Sequence, residues 1–271
     1  MSSTTQDRLS PAQAEAYLRR IAIDAPAGPG LDALTRLQLA HLQTVPFENV
    51  AIFAGRSVTA DNNWTYSKVV DQNRGGWCFE VNGAFAQLLE ALGFRVQRLA
   101  AAVLLDGPNK IVDHLVLEVM LDQPYLVEVG FGDDAPIVPL PLNVVGPIET
   151  RCGAFEFVQS PQGTTLTQIV DGVPEARYRF KRVNHQPGDF EPASMRLQSD
   201  PELHWSTKPF ATRLVDDRGT RLTLVRDALK TRRHDVTTEV PVAAHDWNDV
   251  LFEYFGIVES VPPEALERRP D

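Results

Sequence analysis

The sequence predicts an α+β protein in three successive parts, and three observations carry that prediction. The first third holds capped, amphipathic helical patterns. After Gly93 the chain turns into short β-rich runs separated by Gly, Pro, Asp and Asn. The end mixes a strand-like stretch with one amphipathic helix. Boundaries are expected near residues 93 and 197, dividing the chain into 1–93, 94–197 and 198–271.

In "SPAQAEAYLRRI", Ser10 is placed to cap a helix and Pro11 to occupy its first position, with Ala14, Tyr17, Leu18 and Ile21 on one stripe. "LDALTRLQLAHLQTV" repeats leucine at near-helical spacing and stops before Pro46. From Cys78 to Leu92 a third stripe runs through Val81, Phe85, Leu88 and Leu89, with Gly93 as its stop. Six runs from "RVQRLAAAVLL" to "ARYRFKRV" then read as an antiparallel sheet or barrel. "HQPGDFEPASMRLQSDPELHW" reads as a polar connector, "GTRLTLVRDALKTRR" as a strand with its turns, and "AAHDWNDVLFEYFGI" as the closing helix.

The composition is that of an ordinary soluble domain: 43% hydrophobic and 23% charged residues in a chain of 271. A net charge of −10 argues against a nucleic-acid backbone as partner. The first residues contain no apolar signal core, and no apolar run approaches the ~18 residues of a membrane span, so a cytoplasmic location without a membrane partner is expected. Two cysteines, Cys78 and Cys152, make no disulfide framework, and no Cys/His cluster has zinc spacing, so no metal is expected.

"NRGGWCFEVNGAF" raises the question of chemistry. A helix beginning at Cys78 would present unsatisfied N–H groups and a positive dipole end, which favour a thiolate and could hold an oxyanion. Gly75 and Gly76 permit a sharp entry, and Arg74 adds a cation. Cysteine is also among the most buried residue types, and spacing alone leaves a structural thiol and a nucleophile both open.

A nucleophilic thiol needs a base, and the base an orienting group. His114 lies in "VDHLVLEV", which pairs with "YLVEVGFG" if a hairpin is centred on Asp122. His114 then faces Gly130 and is diagonal to Glu128 on the same sheet face, roughly 7–8 Å away at the backbone. Asp113 points to the opposite face. Glu118 shares the face but lies about 13 Å along at a rise of ~3.3 Å per residue. Glu128 is therefore the best partner, provided the register does not slip by one. An ordinary sheet histidine remains open on spacing alone. His41 falls on a predicted helix, for packing or surface. His185, His204, His234 and His245 fall in polar segments and are expected to be solvated, and Cys152 to be a spectator.

"RGGWCFE" resembles the R-G-G-x-C-x-E signature of the arylamine N-acetyltransferases. "VPFENV" resembles that family's upstream P-F-E-N segment, and "YLVEVGFG" its V-D-V-G-F-G strand. "NGAFAQLLEALGF", "DHLVLEV", the connector through "KPF", and "FEYFGI" fall in the family's order. The resemblance implies an N-terminal helical bundle, a central antiparallel β-barrel and a C-terminal α/β lid around a cysteine-protease-like core. It implies Cys78 as nucleophile and His114 as base, with Glu128 where the family has aspartate.

It further implies acetyl transfer from acetyl-CoA to a small aromatic amine or hydrazine, through an acetyl-cysteine and without metal. Phe47, Phe131, Gly132 and Phe210 are implied substrate-pocket residues, although Phe47 and Phe210 read equally as packing. Gly130 leads into a loop carrying Asp133 and Asp134, poor company for phosphates. Arg74 and Glu80 are expected to hold the nucleophile loop. The extra methylene of Glu128 leaves a catalytically weakened homologue as one alternative. A macrocycle-closing amide synthase, a papain-like hydrolase and a non-enzymatic binder are others. Oligomeric state, a dimer included, is left open.

Overall fold

The computed structural model describes residues 8–132, 135–233 and 236–267. Helix α1 (Pro11–Arg20) starts where the capping residues place it: Ser10 Oγ accepts from the Gln13 N–H at 3.3 Å while Gln13 Oε1 accepts from the Ser10 N–H at 2.9 Å. Helix α2 (Leu31–Thr44) buries Leu34, Leu37 and Leu42. There follow strand β1 (Phe47–Glu48), helix α3 (Val50–Phe53), helix α4 (Asn62–Tyr66) continuing into a π-helical turn at Ser67–Asp71, and helix α5 (Cys78–Ala91). Every residue of α5 from Cys78 to Leu89 is buried. A helix buried all round belongs at the centre of a core. Gly93, at φ +88°, takes the left-handed conformation just beyond its end.

Strands β2 (Arg95–Val103), β3 (His114–Met120), β4 (Pro124–Val127), β5 (Leu140–Pro141), β6 (Ile148–Thr150), β7 (Gly153–Ser160), β8 (Gly163–Val170) and β9 (Val173–Asn184) form one antiparallel sheet, ordered β5-β4-β3-β2-β9-β8-β7-β6. Leu126 and Leu140 from one end of that order share a core with Phe155, and Ile148 packs against it from the other end. The sheet is therefore rolled into a nearly closed barrel. Leu117 pairs with Val127 and Glu118 with Leu126, the register of a hairpin centred on Asp122.

The polar connector is more ordered than its composition suggests. A 3₁₀ turn at Pro187–Phe190 leads into helix α6 (Glu191–Ser199), and helix α7 (His204–Thr207) follows. Residue 197 thus lies inside a helix. Only Phe190, Ser194 and Leu197 of this stretch from the 3₁₀ turn through α6 are buried, too few apolar anchors for a helical stripe to show in sequence. "GTRLTLVRDALKTRR" is two strands rather than one.

The second sheet runs β1-β10-β11-β12-β13, with β10 (Ala211–Leu214), β11 (Arg221–Leu224), β12 (Ala228–Arg233) and β13 (Val236–Pro241). Helix α8 (Trp247–Phe255) packs Trp247, Leu251 and Phe255 onto Leu222, Leu224 and Leu229. Gly256, at φ +67°, ends it, and helix α9 (Pro263–Leu266) closes the described chain. β1 comes from the N-terminal part: Phe47 pairs with Thr212 on one side and bridges to Gly76 on the other. No described helix is long and apolar enough to cross a membrane.

Candidate active site

The loop before α5 is clamped by backbone and charge. The Gly76 carbonyl accepts from the Glu48 N–H at 2.9 Å. A Cβ on Gly75 would run into the Pro46 carbonyl, and one on Gly76 into the Glu80 carboxylate, so both glycines allow close approach. Glu80 Oε2 accepts from the Trp77 N–H at 3.1 Å and from Lys68 Nζ at 2.8 Å. Arg74 pairs with Glu48 at 3.0 Å and with Glu259 at 2.6 Å. These charges are almost wholly buried, where removing one partner is costly. Burial raises the Glu80 carboxyl against the pull of Lys68. For Glu48 burial is outweighed by Lys68 and Arg74, and its carboxyl is lowered. Arg74 and Glu80 both bond to groups around the loop. Glu48, Lys68 and Glu259, from three distant segments, complete the network.

Cys78 opens α5 and is 2% exposed. Its sulfur lies 3.8 Å from the Asp113 carbonyl oxygen, and the side chain interacts with the His114 ring and raises it. His114 Nε2 lies 2.6 Å from Glu128 Oε2, which leaves Nδ1 for the thiol. Strand β4 ends at Val127, so Glu128 sits where the chain leaves the ladder. Its other oxygen accepts from Asn82 Nδ2 and from the Gly130 N–H, both at 2.7 Å, and Gln38 Nε2 binds its backbone carbonyl at 3.0 Å. The longer side chain is thus fixed from α5 and its own turn, and its backbone from α2. Burial disfavours a charged His114 ring, but the adjacent Glu128 carboxylate and the hydrogen bond to Cys78 outweigh it and lift the ring to about 10.

Asn82 was not singled out in the sequence. It lies four residues after Cys78, one turn along the same face, and its Oδ1 also accepts from the Val129 N–H at 3.0 Å. A polar residue inside an apolar helical stripe was the available signal. Gly130 packs where a Cβ would meet Cys78 Cα at 2.9 Å.

A pocket of about 240 Å³ opens beside His114, lined by Phe47, Phe131, Gly132, Trp205 and Phe210 among others. The Phe47 and Phe210 ring centroids are 5.2 Å apart and Phe131 is 5.1 Å from the His114 ring, so the four pocket residues expected from sequence are brought together. Trp205, 5.9 Å from Phe47, was missed because its connector reads as polar. Gly132 takes φ +93° beside the Phe47 ring, a conformation suited to glycine. Asp133 and Asp134 lie outside the described residues.

The remaining candidates fall elsewhere. His41 is fully buried, with Nε2 3.0 Å from the Tyr17 hydroxyl. His185 lies 3.6 Å from Asp189, and His245 is largely exposed. His234 and the His204 side chain are outside the described residues. Cys152 is half-buried, its sulfur 3.4 Å from Thr150 Oγ1. No cluster of three or more metal-ligating side chains occurs among the described residues.

A family model described as N-acetyltransferase matches residues 30–261. The chain belongs to the arylamine N-acetyltransferase family. It is 32% identical over 251 residues to the arylamine N-acetyltransferase of Mycolicibacterium smegmatis, covering 89% of this chain and 90% of that one. The structure of Mycobacterium marinum arylamine N-acetyltransferase in complex with CoA superposes with a TM-score of 0.84 at 30% identity, over 94% of this chain and 97% of that one. The Salmonella typhimurium enzyme gives a TM-score of 0.88 at 26% identity, over 95% and 97%.

Proposed function

We propose that Cys78, His114 and Glu128 carry out acetyl transfer from acetyl-CoA to a small arylamine or arylhydrazine in two half-reactions. In the first, the Cys78 sulfur, its proton already held on the His114 ring, attacks the thioester carbonyl as a thiolate. Glu128, on Nε2, stabilises the resulting imidazolium. The ring then returns the proton to the departing CoA sulfur, leaving acetyl-Cys78. In the second, the amine nitrogen attacks the acetyl carbonyl, His114 takes its proton, and the cysteine sulfur is released. The single observation that supports this reading most is the 2.6 Å contact between His114 Nε2 and Glu128 Oε2.

Phe47, Phe131, Gly132 and Phe210 bind the substrate, with Trp205 as a further wall. The size and apolar lining of the pocket suit a single aromatic ring rather than a macrocycle precursor. Arg74, Gly75, Gly76 and Glu80 position the nucleophile loop. Residues 1–93 supply the nucleophile, 94–197 the base and acid, and 198–271 cover the pocket. The enzyme acts in the cytoplasm on small molecules.

Intact-mass measurement after incubation with acetyl-CoA tests the reading. One acetyl adduct is expected on wild type and none on Cys78→Ala. Wild type that forms no adduct and acetylates no arylamine would sink it.

A further inference from the structure

Glu128 stands just past the point where the barrel sheet holds the chain. The last pair between β3 and β4 is Leu117 with Val127, and the strand ends there. Beyond it no ladder bond fixes the backbone, and side chains answer its polar groups instead. The peptide unit joining Glu128 to Val129 has both of those groups taken by side-chain amides from two helices. Asn82 Oδ1, on α5, accepts from the Val129 N–H at 3.0 Å. Gln38 Nε2, on α2, donates to the Glu128 carbonyl at 3.0 Å. A planar peptide held at both ends sets the direction in which the Glu128 side chain leaves the backbone.

The same Gln38 nitrogen donates to the Pro136 carbonyl at 3.1 Å. Residues 128 and 136 are the two feet of the loop that carries Phe131 and Gly132 to the pocket beside His114. One amide therefore ties both feet to α2. Gln38 is 0% exposed and lies among Leu34, Leu37, His41 and Leu42 on the buried face of that helix. The amide's orientation follows from its neighbours, because the flipped form would set Oε1 against two carbonyl oxygens. Oε1 itself is buried with no partner among the described residues. Such an orphan is costly and uncommon in a native core. A leucine here would complete the apolar stripe of α2 and remove the orphan, but it would leave both loop carbonyls without their donor.

The clamp bears on His114 through the length of the acid. Glu128 Oε1 is occupied by Asn82 and the Gly130 N–H, and Oε2 meets His114 Nε2 at 2.6 Å. Glutamate reaches one methylene farther than aspartate, so this contact requires a backbone that stands correspondingly back from the ring. We propose that Gln38 is a positioning residue for Glu128: by holding the Glu128 and Pro136 carbonyls to α2, it sets the backbone where the longer carboxylate meets His114 Nε2. The inference rests on Glu128 orienting His114, as proposed above.

Gln38→Met tests it, since methionine keeps the length and apolar bulk of the side chain and removes both donors. Single-turnover acylation of Cys78 by p-nitrophenyl acetate should slow by about 10- to 100-fold, the scale of a displaced orienting group. The His114 ring, followed by imidazole NMR, should titrate below its wild-type value of about 10, because the carboxylate that raises it has moved off. A purely structural role would lower the melting temperature and leave the ring where it is. The same substitution in a Glu128→Asp background, where the carboxylate is already withdrawn, should slow acylation by only about threefold or less. Equal fold-losses in the two backgrounds, or wild-type acylation by Gln38→Met, overturns the proposal. If Gln38→Met does not fold, Gln38→Asn takes its place, with the amide on a shorter arm. The same lowered ring and the same dependence on background are expected of it, and their absence overturns the proposal. Glu128→Gln separates the clamp from the triad. If that variant is impaired and Gln38→Met is not, only the role of Gln38 fails. If Glu128→Gln acylates like wild type, the triad reading fails, and the clamp is judged by the ring titration of Gln38→Met alone, which must be lowered for it to stand.

Discussion

Two buried histidines are pushed in opposite directions by their surroundings. His41, in the helical core, has a phenol for a partner, Tyr17, and lies near the Arg20 cation. Burial, with a smaller push from Arg20, lowers its ring to about 3. His114, at the barrel edge, has the Glu128 carboxylate and the Cys78 thiol, and its ring rises to about 10. Desolvation penalises charge at both sites. The partner's charge decides the outcome, so burial by itself marks neither histidine as functional.

Glu128→Gln breaks the contrast most severely. It removes the carboxylate that does most to raise the ring, so His114 should fall from about 10. Turnover should drop by up to ~10⁴, the scale seen when a triad orienter loses its charge. The pH dependence of Cys78 alkylation and single-turnover acetylation measure the two effects. A Gln variant with wild-type turnover would show that Glu128 does not orient the base.

Glu128→Asp asks how much geometry matters once charge is kept. The carboxylate retreats by one methylene from contacts of 2.6 and 2.7 Å. A loss of about 10- to 100-fold in kcat is expected, with the His114 ring still well above 6.5. Equal activity would mean that the loop after Val127 moves to compensate.

Tyr17→Phe probes the other site. It strips His41 Nε2 of its partner at full burial, and chemical denaturation should show a loss of about 1–3 kcal/mol with kcat unchanged.

The mildest effect concerns acid. A ring lowered to about 3 when folded binds fewer protons than an unfolded one at about 6.5. The stability tied to neutral His41 is therefore complete above pH 6.5 and lost as pH falls toward 3. His41→Leu should flatten that slope in thermal melts between pH 6.5 and 4. An unchanged slope would place acid sensitivity elsewhere.

The difference between the two histidines is partly legible in the sequence. His114 could be paired with Glu128 because a period-2 strand and a short turn fix which side chains share a face, and the structure has the same register. Helices α1, α2 and α5 were legible from caps and stripes. Tyr17 meeting His41 was not, because the two are 24 residues apart on different helices and nothing local sets how those helices cross. Glu259 reaching Arg74 across 185 residues was hidden for the same reason. Asn82, one turn from Cys78, is legible only as a polar residue inside an apolar stripe. Helix α6 stayed hidden because few of its residues face a core.

Strand β1 carries a lesson for anyone exchanging parts between members of this family. Phe47–Glu48 belongs by sequence to the N-terminal part, yet it forms the first strand of the C-terminal sheet and touches the glycine loop in front of Cys78. A chimaera that transplants residues 198–271 as a block leaves the incoming sheet seated on a foreign edge strand, and any mismatch there lands on the nucleophile's own backbone. The transplantable module is discontinuous, and a working graft carries Phe47 and Glu48 with it.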